Sequence, residues 1–172
     1  YLPLMSFFNA YAFPVIFTRA ANVYGPGQQL YRIIPRAVIA ALTNETLDLH
    51  GGGHSERCFI HIDDVAAATE RITLEGTPGE TYHISTRDPV SIRRLVEMIA
   101  DRYGLTLKQL ATETEDRLGK DDSYLLDSSK LREELNWQPE ISLESGIQSV
   151  MDWASLHLSF LSREPRSYQH RK

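Results

Sequence analysis

Residues 50–68 read HGGGHSERCFIHIDDVAAA, and the order of features along them decides the fold class. Three glycines in a row, Gly51 to Gly53, let the backbone reverse or approach a ligand closely, because glycine takes positive φ without a side-chain clash. Cys58, Phe59, Ile60, His61 and Ile62 form a short run dense in β-formers, which predicts a strand. Asp63-Asp64 follows at once and Val65-Ala-Ala-Ala continues, which predicts a helix over 64–74 with an aspartate as its N-cap. Arg57 stands where the strand begins. A guanidinium there can grip a phosphate with its paired donors, or it can pair at the surface with Glu56 or Asp63.

Turn, strand and capped helix in succession point to an α/β protein, and the flanking sequence agrees. Upstream, residues 5–11 read as the end of an amphipathic helix stopped near Pro14. Residues 15–19 form a short apolar run of the kind buried inside a parallel sheet. Residues 20–29, AANVYGPGQQ, are rich in turn formers and predict a loop beyond a strand end, where open α/β sheets bind ligands. Residues 30–42 carry apolar residues at helical spacing, with Pro35 in the first turn, where proline is tolerated. Residues 47–50 alternate as a strand. Downstream, residues 80–85 predict a strand and residues 91–103 an amphipathic helix, with Ser91 as cap and Gly104 just past the end. Residues 124–127 predict a short strand and residues 129–135 a helix capped by Asp127 or Ser128. The last long helix is predicted over 143–161, and the polar, basic tail 162–172 is predicted to be disordered.

Composition sets bounds on function. The 172 residues carry a net charge of −5, with 42% hydrophobic and 24% charged residues, which suits a globular domain with its own core and argues against a nucleic-acid partner. No apolar run is long enough to span a membrane. A single cysteine, Cys58, suits a reducing compartment, and its apolar surroundings make it a small core residue. A cytoplasmic protein is expected. His50, His54 and His61 alternate about the glycine turn, but no cysteine or carboxylate set completes a metal site around them. Asp64 reads as a helix cap rather than a catalyst, and Trp137 and Trp153 as packing residues. The opening Tyr1-Leu-Pro-Leu suggests the back part of a larger protein.

Seven segments, in order, resemble the extended short-chain dehydrogenase/reductase family of nucleotide-sugar epimerases and 4,6-dehydratases. They are Thr18-Arg19-x-x-Asn22-x-Tyr24-Gly25-Pro26, Ile34-Pro35, the glycine turn with Arg57-x-Phe59-Ile60-x-Ile62-Asp63-Asp64, Gly79-Glu80-Thr81-Tyr82-His83-Ile84-Ser85, Ser91-Ile92, Arg117-Leu118-Gly119-Lys120-Asp121, and Asp127-x-Ser129-Lys130 running on to Trp137-x-Pro139. Departures occur at His83 and Ser85, where the family has asparagine and glycine. Leu118 and Lys120 stand for proline and histidine, and Asn136 for glycine. Together the segments cover nearly all of residues 4–155.

The resemblance implies the C-terminal part of an NAD(P)-binding Rossmann-type fold: the last strands of the sheet and the small α/β substrate domain. Residues 1–30 would end the nucleotide-binding domain. Residues 31–161 would be mostly the sugar-nucleotide domain with returning Rossmann elements. It implies that Asn22, Arg57 and Arg117 hold the diphosphate of a sugar nucleotide, that Arg32 and Lys120 stand near it, that His50 lies beside the nucleobase, and that the backbone of Ala20 and Ala21 faces the nicotinamide of NAD. Asn22 can instead hold its own turn, and Arg32 can be a solvated helix residue. The sequence has no G-x-x-G-x-x-G, and Met5 rather than lysine stands four places after Tyr1. NAD is therefore expected to be bound mainly outside this chain, and no catalytic residue is assigned within it. The implied activity is 4,6-dehydration of an NDP-glucose, with the Asn-Val-Tyr-Gly-Pro loop leaning that way. The alternatives are an epimerase of the same family and a non-catalytic sugar-nucleotide module. A homodimer is expected of the full-length protein.

Overall fold

The computed structural model describes residues 2–116 and 123–167. The chain opens with α1 (Leu2–Tyr11) and an extended segment carrying β1 (Phe17–Ala20) and β2 (Asn22–Tyr24). Then follow α2 (Ile33–Thr43), β3 (Leu47–His50) and a single tight turn at Gly51–Gly53. The central stretch forms β4 (Glu56–Arg57), β5 (Phe59–His61) and α3 (Ile62–Glu75). After it come β6 (Thr81–Ile84), β7 (Val90–Ser91), α4 (Ile92–Arg102), α5 (Leu107–Leu110) and β8 (Ala111–Thr114). The described chain ends with β9 (Ser123–Tyr124), α6 (Ser129–Leu135), α7 (Leu143–Leu156) and α8 (Leu158–Leu161).

The 20–29 segment is not a plain loop. Its first part is a strand, because the extended backbone that leaves β1 changes partner at Ala21. Up to Ala20 it lies parallel to β6, with Phe17 opposite Thr81 and Ala20 opposite Ile84. The Ala21 N–H still donates to Ile84 O at 2.9 Å, while the next N–H, of Asn22, donates to Cys58 O at 3.1 Å. From there β2 lies parallel to β5, with Asn22 opposite Phe59 and Tyr24 opposite His61. A strand that switches neighbours opens a crevice beyond its carboxyl end, the place where α/β sheets take ligands.

Two clusters of buried side chains flank this strand. One joins α2, α4 and α7 to β3 and β8 through residues such as Ile34, Val38, Ile39, Leu95, Ile99 and Val150. The other joins α3, α6 and β6 through Ile72, Tyr82, Ile84, Leu131 and Trp137. Alternation along β5 serves both, since Phe59 belongs to the first cluster and Ile60 to the second. Trp137 is a core residue, and Trp153 packs half-buried against the first cluster.

Local signals explain the helix ends. Ser91 Oγ accepts from the Arg94 N–H at 3.1 Å and caps α4, and Gly104 follows the helix at φ 68°. Asn44 ends α2 in the left-handed region and returns its N–H to Ala40 O. The cap of α3 corrects the sequence reading. The N-cap is His61, whose side chain accepts from the Asp63 N–H, and the helix starts at Ile62. Asp64 sits in the first turn, buried to 4% exposure, and its two oxygens accept the N–H groups of Glu140 (2.9 Å) and Ile141 (3.2 Å). The carboxylate is spent on the strap between α6 and α7, not on its own helix.

Four further boundaries differ from expectation. The predicted strand at 58–62 is the three-residue β5, with Cys58 separating it from β4 at Glu56–Arg57. The strand at 124–127 is only β9, Ser123–Tyr124. Before α6, Ser128 is the N-cap residue, yet its hydroxyl donates to Ser85 O at 3.0 Å, and it is Asp127 Oδ1 that accepts the Ser129 N–H at 2.9 Å. The last helix breaks at His157 into α7 and α8. The described part of the tail is tied down: Arg166 forms an ion pair with Glu45 and donates to Thr43 Oγ1, pinning residues 162–167 to the end of α2.

Candidate functional site

The crevice at the strand switch is a cavity of about 780 Å³. Its floor comes from β2 and the turn after it, which is locked from inside. Gln28 returns its N–H to Gly25 O and its side-chain amide to Val23 O at 2.6 Å. Tyr24 anchors the base of the turn at 2% exposure, edge-on to the rings of Phe59 and His61 with centroids 6.4 and 5.4 Å away. His61 Nε2 lies 3.2 Å from Ser149 Oγ on α7, so the turn is tied to that helix. Gly146 makes the approach feasible: a Cβ there would come 2.7 Å from Tyr24 Cζ. Burial first, then the carboxylates of Asp64 and Glu144, push the Tyr24 hydroxyl well above its usual titration range. Tyr24 is therefore a neutral packing group, not a base.

The opposite wall is Arg57 on β4. That two-residue strand is clamped between β7 and β9, with Arg57 opposite Val90 and Tyr124, and its Nη1 donates to Glu56 O at 2.6 Å. Arg32 closes the third side from the N-cap position of α2, its guanidinium 5.5 Å from the Tyr31 ring centroid. Among the described residues this lining carries two guanidiniums, with no carboxylate and no histidine. Such a surface suits an anion with several oxygens and offers no general acid–base pair.

A second cavity of about 290 Å³ shares Tyr31, Ile33 and Ile92 with the first and adds Arg36, Asp48 and His50. His50 Nδ1 lies 2.9 Å from Thr114 Oγ1, across the β3–β8 pair. The glycine turn forms its edge. Gly53, at φ 72°, could take no side chain, since a Cβ would come 2.9 Å from the Arg93 backbone nitrogen. Arg93 braces the turn, donating to Gly52 O and to Glu113, whose carboxyl it holds below the usual carboxylate range.

Of the residues expected at the site, Ala21, Asn22, Arg32 and Arg57 line the larger cavity and His50 the smaller. Ala20 ends β1 on the exposed side and lines neither. Arg117 and Lys120 lie outside the described residues. The Asn22 amide donates to Cys58 O at 3.2 Å, so it ties β2 to the residue between β4 and β5 rather than holding its own turn. Tyr31, Ser55 and Gln28 line the larger cavity without having been anticipated. Only the aromatic beside Arg32 carried a signal, as a ring next to a cation. Among the described residues no three His, Cys, Asp or Glu side chains are grouped to hold a metal.

Comparison with known proteins adds to this geometry. Residues 2–150 match the model of the GDP-mannose 4,6 dehydratase family. The chain belongs to that family. It is similar to the dTDP-glucose 4,6-dehydratase of Escherichia coli, with 33% identity over 155 residues that cover 84% of this chain and 43% of that protein. Among solved structures it is similar to the dTDP-glucose 4,6-dehydratase DesIV of Streptomyces venezuelae with NAD bound, with a TM-score of 0.86, 30% identity and coverage of 92% of this chain and 49% of that one. A UDP-glucose 4-epimerase of Thermotoga maritima, solved with UDP-glucose, matches with a TM-score of 0.85 and 26% identity over 91% of this chain and 51% of that one. The chain thus spans about half the length of these relatives. The Rossmann-type α/β architecture implied by the seven segments is the architecture found.

Proposed function

We propose that this chain is the sugar-nucleotide-holding half of an NAD-dependent nucleotide-sugar 4,6-dehydratase. The observation that carries the reading is the cavity lined by Arg32 and Arg57 without a carboxylate, placed at the strand switch between β6 and β5. The relatives named above support the reaction class: oxidation at C4 of an NDP-glucose, loss of water, and return of the hydride to C6. NAD would supply the hydride acceptor and donor. Of the residues that fold family uses to hold it, no G-x-x-G-x-x-G stands in these 172 residues, and the spacing Tyr-x-x-x-Lys occurs only at Tyr168 to Lys172, after the last of the seven family segments rather than before the first. NAD would therefore sit mainly against the other half, with only the backbone near Ala20 and Ala21 facing it, and no hydride step falls to this chain.

What these residues do is bind and orient. Arg57, fixed on both strand edges, presents its fork to the diphosphate at little conformational cost. Arg32 adds a second charge from the start of α2, and Asn22 faces the same cavity. In our reading Arg117 and Lys120 reach the diphosphate as well. The match to a UDP-glucose 4-epimerase favours a second reading, the epimerase of the same fold. The assembly is read as a cytoplasmic homodimer of the full-length protein, acting on a nucleotide sugar rather than a nucleic acid or a membrane. Among the described residues no helix is long and apolar enough to cross a membrane.

The test is calorimetric titration of nucleoside diphosphates against the wild type and Arg57→Ala. Losing a charge-assisted pair to phosphate is expected to weaken binding roughly 10- to 100-fold, as hydrogen bonds to charged groups are worth about 1.5–3 kcal/mol. Unchanged affinity in the variant would sink the assignment of the cavity.

A further inference from the structure

We propose that Arg36 and Asp48 read the edge of the nucleobase, and that this protein selects guanine over uracil and thymine. The inference rests on the diphosphate reading above and deepens it. The 290 Å³ cavity shares Tyr31, Ile33 and Ile92 with the larger one, so a ligand anchored at Arg57 can extend into it without leaving the protein. Its walls suit a flat ring: Ile33, Leu49 and Ile92 are apolar, and Tyr31 and His50 contribute rings.

Recognition within such a cavity falls to its polar members. Arg36 projects from α2, half-buried, and Asp48 lies on the exposed face of β3 at the mouth of the cavity. Neither side chain makes a hydrogen bond or ion pair among the described residues, whereas Arg93 pairs with Glu113 and Glu97, and Arg57 donates to the Glu56 carbonyl. A carboxylate only accepts and a guanidinium only donates. Guanine alone offers both what they need in paired form: N1–H and N2–H side by side for the carboxylate, O6 and N7 for the guanidinium fork. Cytosine and adenine give the carboxylate one amino group and rank second. Uracil and thymine rank last, because their single N3–H is flanked by two carbonyls that face a carboxylate with like polarity.

The experiment is a titration of GDP, CDP, ADP, UDP and dTDP into the full-length protein, its Asp48→Asn and Arg36→Gln variants, and Arg57→Ala. The expected result is GDP bound about tenfold or more tighter than UDP or dTDP, the size of one good bidentate base contact. Asp48→Asn then removes most of the GDP preference and brings UDP and dTDP up, because an asparagine amide can both accept from N3–H and donate to a neighbouring carbonyl. Arg36→Gln also weakens GDP. UDP or dTDP binding as tightly as GDP to the wild type, with Arg57→Ala weakening all of them, would reject base selection while leaving the diphosphate site standing. An Asp48→Asn variant with an unaltered GDP preference would reject it too. Failure of every diphosphate to bind would reject the diphosphate reading and the base selection together.

Discussion

Helices α1 and α2 are similarly apolar, LPLMSFFNAY against IIPRAVIAALT, yet they have opposite fates. α2 buries seven of its residues against α4, α7 and β3, while α1 buries none and exposes Leu2, Leu4, Phe7 and Tyr11. The contrast continues into the strands. β3 and β5 are packed on α2 and α3, whereas β1, paired with β6 alone among the described residues, leaves three of its four residues exposed. Apolar composition therefore does not decide burial; the presence of a partner surface does. On the α2 side the fold supplies that partner itself, and the diphosphate cavity is complete there. On the α1 side, in the reading proposed above, the partner would be the rest of the nucleotide-binding sheet.

The strongest way to break this comparison is to truncate one residue on each side. Ile39→Ala on α2 is expected to cost about 2–5 kcal/mol, since Ile39 is wholly buried and its neighbours can collapse only partly. Phe7→Ser on α1 is expected to leave stability within about 0.5 kcal/mol, as for other exposed positions. It should also reduce self-association of the 172-residue chain, whose exposed α1–β1 face is sticky. Urea denaturation with sedimentation of both variants checks the pair. Equal losses, or a monodisperse wild-type chain with a cooperative melt, would mean that α1 is covered after all.

A smaller effect is expected at Asp64, which ties the α6–α7 strap to α3. Asp64→Ala leaves the Glu140 and Ile141 N–H groups without their acceptor, at about 1.5–3 kcal/mol for hydrogen bonds to a charged partner. Asp64→Asn, which keeps one acceptor oxygen, should recover part of it. An ordinary N-cap role would instead predict nearly full recovery in Asp64→Asn, since asparagine caps a helix about as well as aspartate, and in Asp64→Ala exchange protection lowered at the first turn of α3 rather than at residues 140–141.

How far the sequence revealed this can be judged residue by residue. The apolar spacing of α2 and α4, the Ser91 cap and the glycine turn were legible because their causes are local: side-chain period, a hydroxyl one turn from an N–H, a φ that only glycine takes freely. Arg57 and Asn22 were legible through the motif that surrounds them. β2 was not, because Asn22-Val-Tyr is three residues flanked by turn formers and becomes a strand only through β5, 37 positions on. Asp64 was misread because its acceptors' partners lie 76 and 77 residues away. Nothing in the sequence singled out Arg36 or Asp48; only the meeting of α2 with β3 brings them to one cavity.

The least disruptive probe of the packed side is the proton on Tyr24. Its folded pKa lies above the ordinary value of about 10, through burial first and then the nearby Asp64 and Glu144 carboxylates. Raising an acid's pKa means that the fold favours the protonated form. The stability this contributes is complete below pH about 10, and it is lost as pH rises above the unfolded value toward the folded one. The denaturation midpoint should therefore be level from pH 8 to about 9.5 and fall beyond pH 10. Tyr103, raised mainly by burial, adds to the same slope, so the two are separated by Tyr24→Phe and Tyr103→Phe measured singly. Tyr24→Phe should flatten the alkaline fall and leave nucleotide binding near neutral pH intact, because the ring still wedges between Phe59, His61 and Gly146. A slope that survives the substitution would place the ionising group elsewhere, and a large loss of binding would mean that the hydroxyl itself, and not only the ring, shapes the turn of residues 25–28.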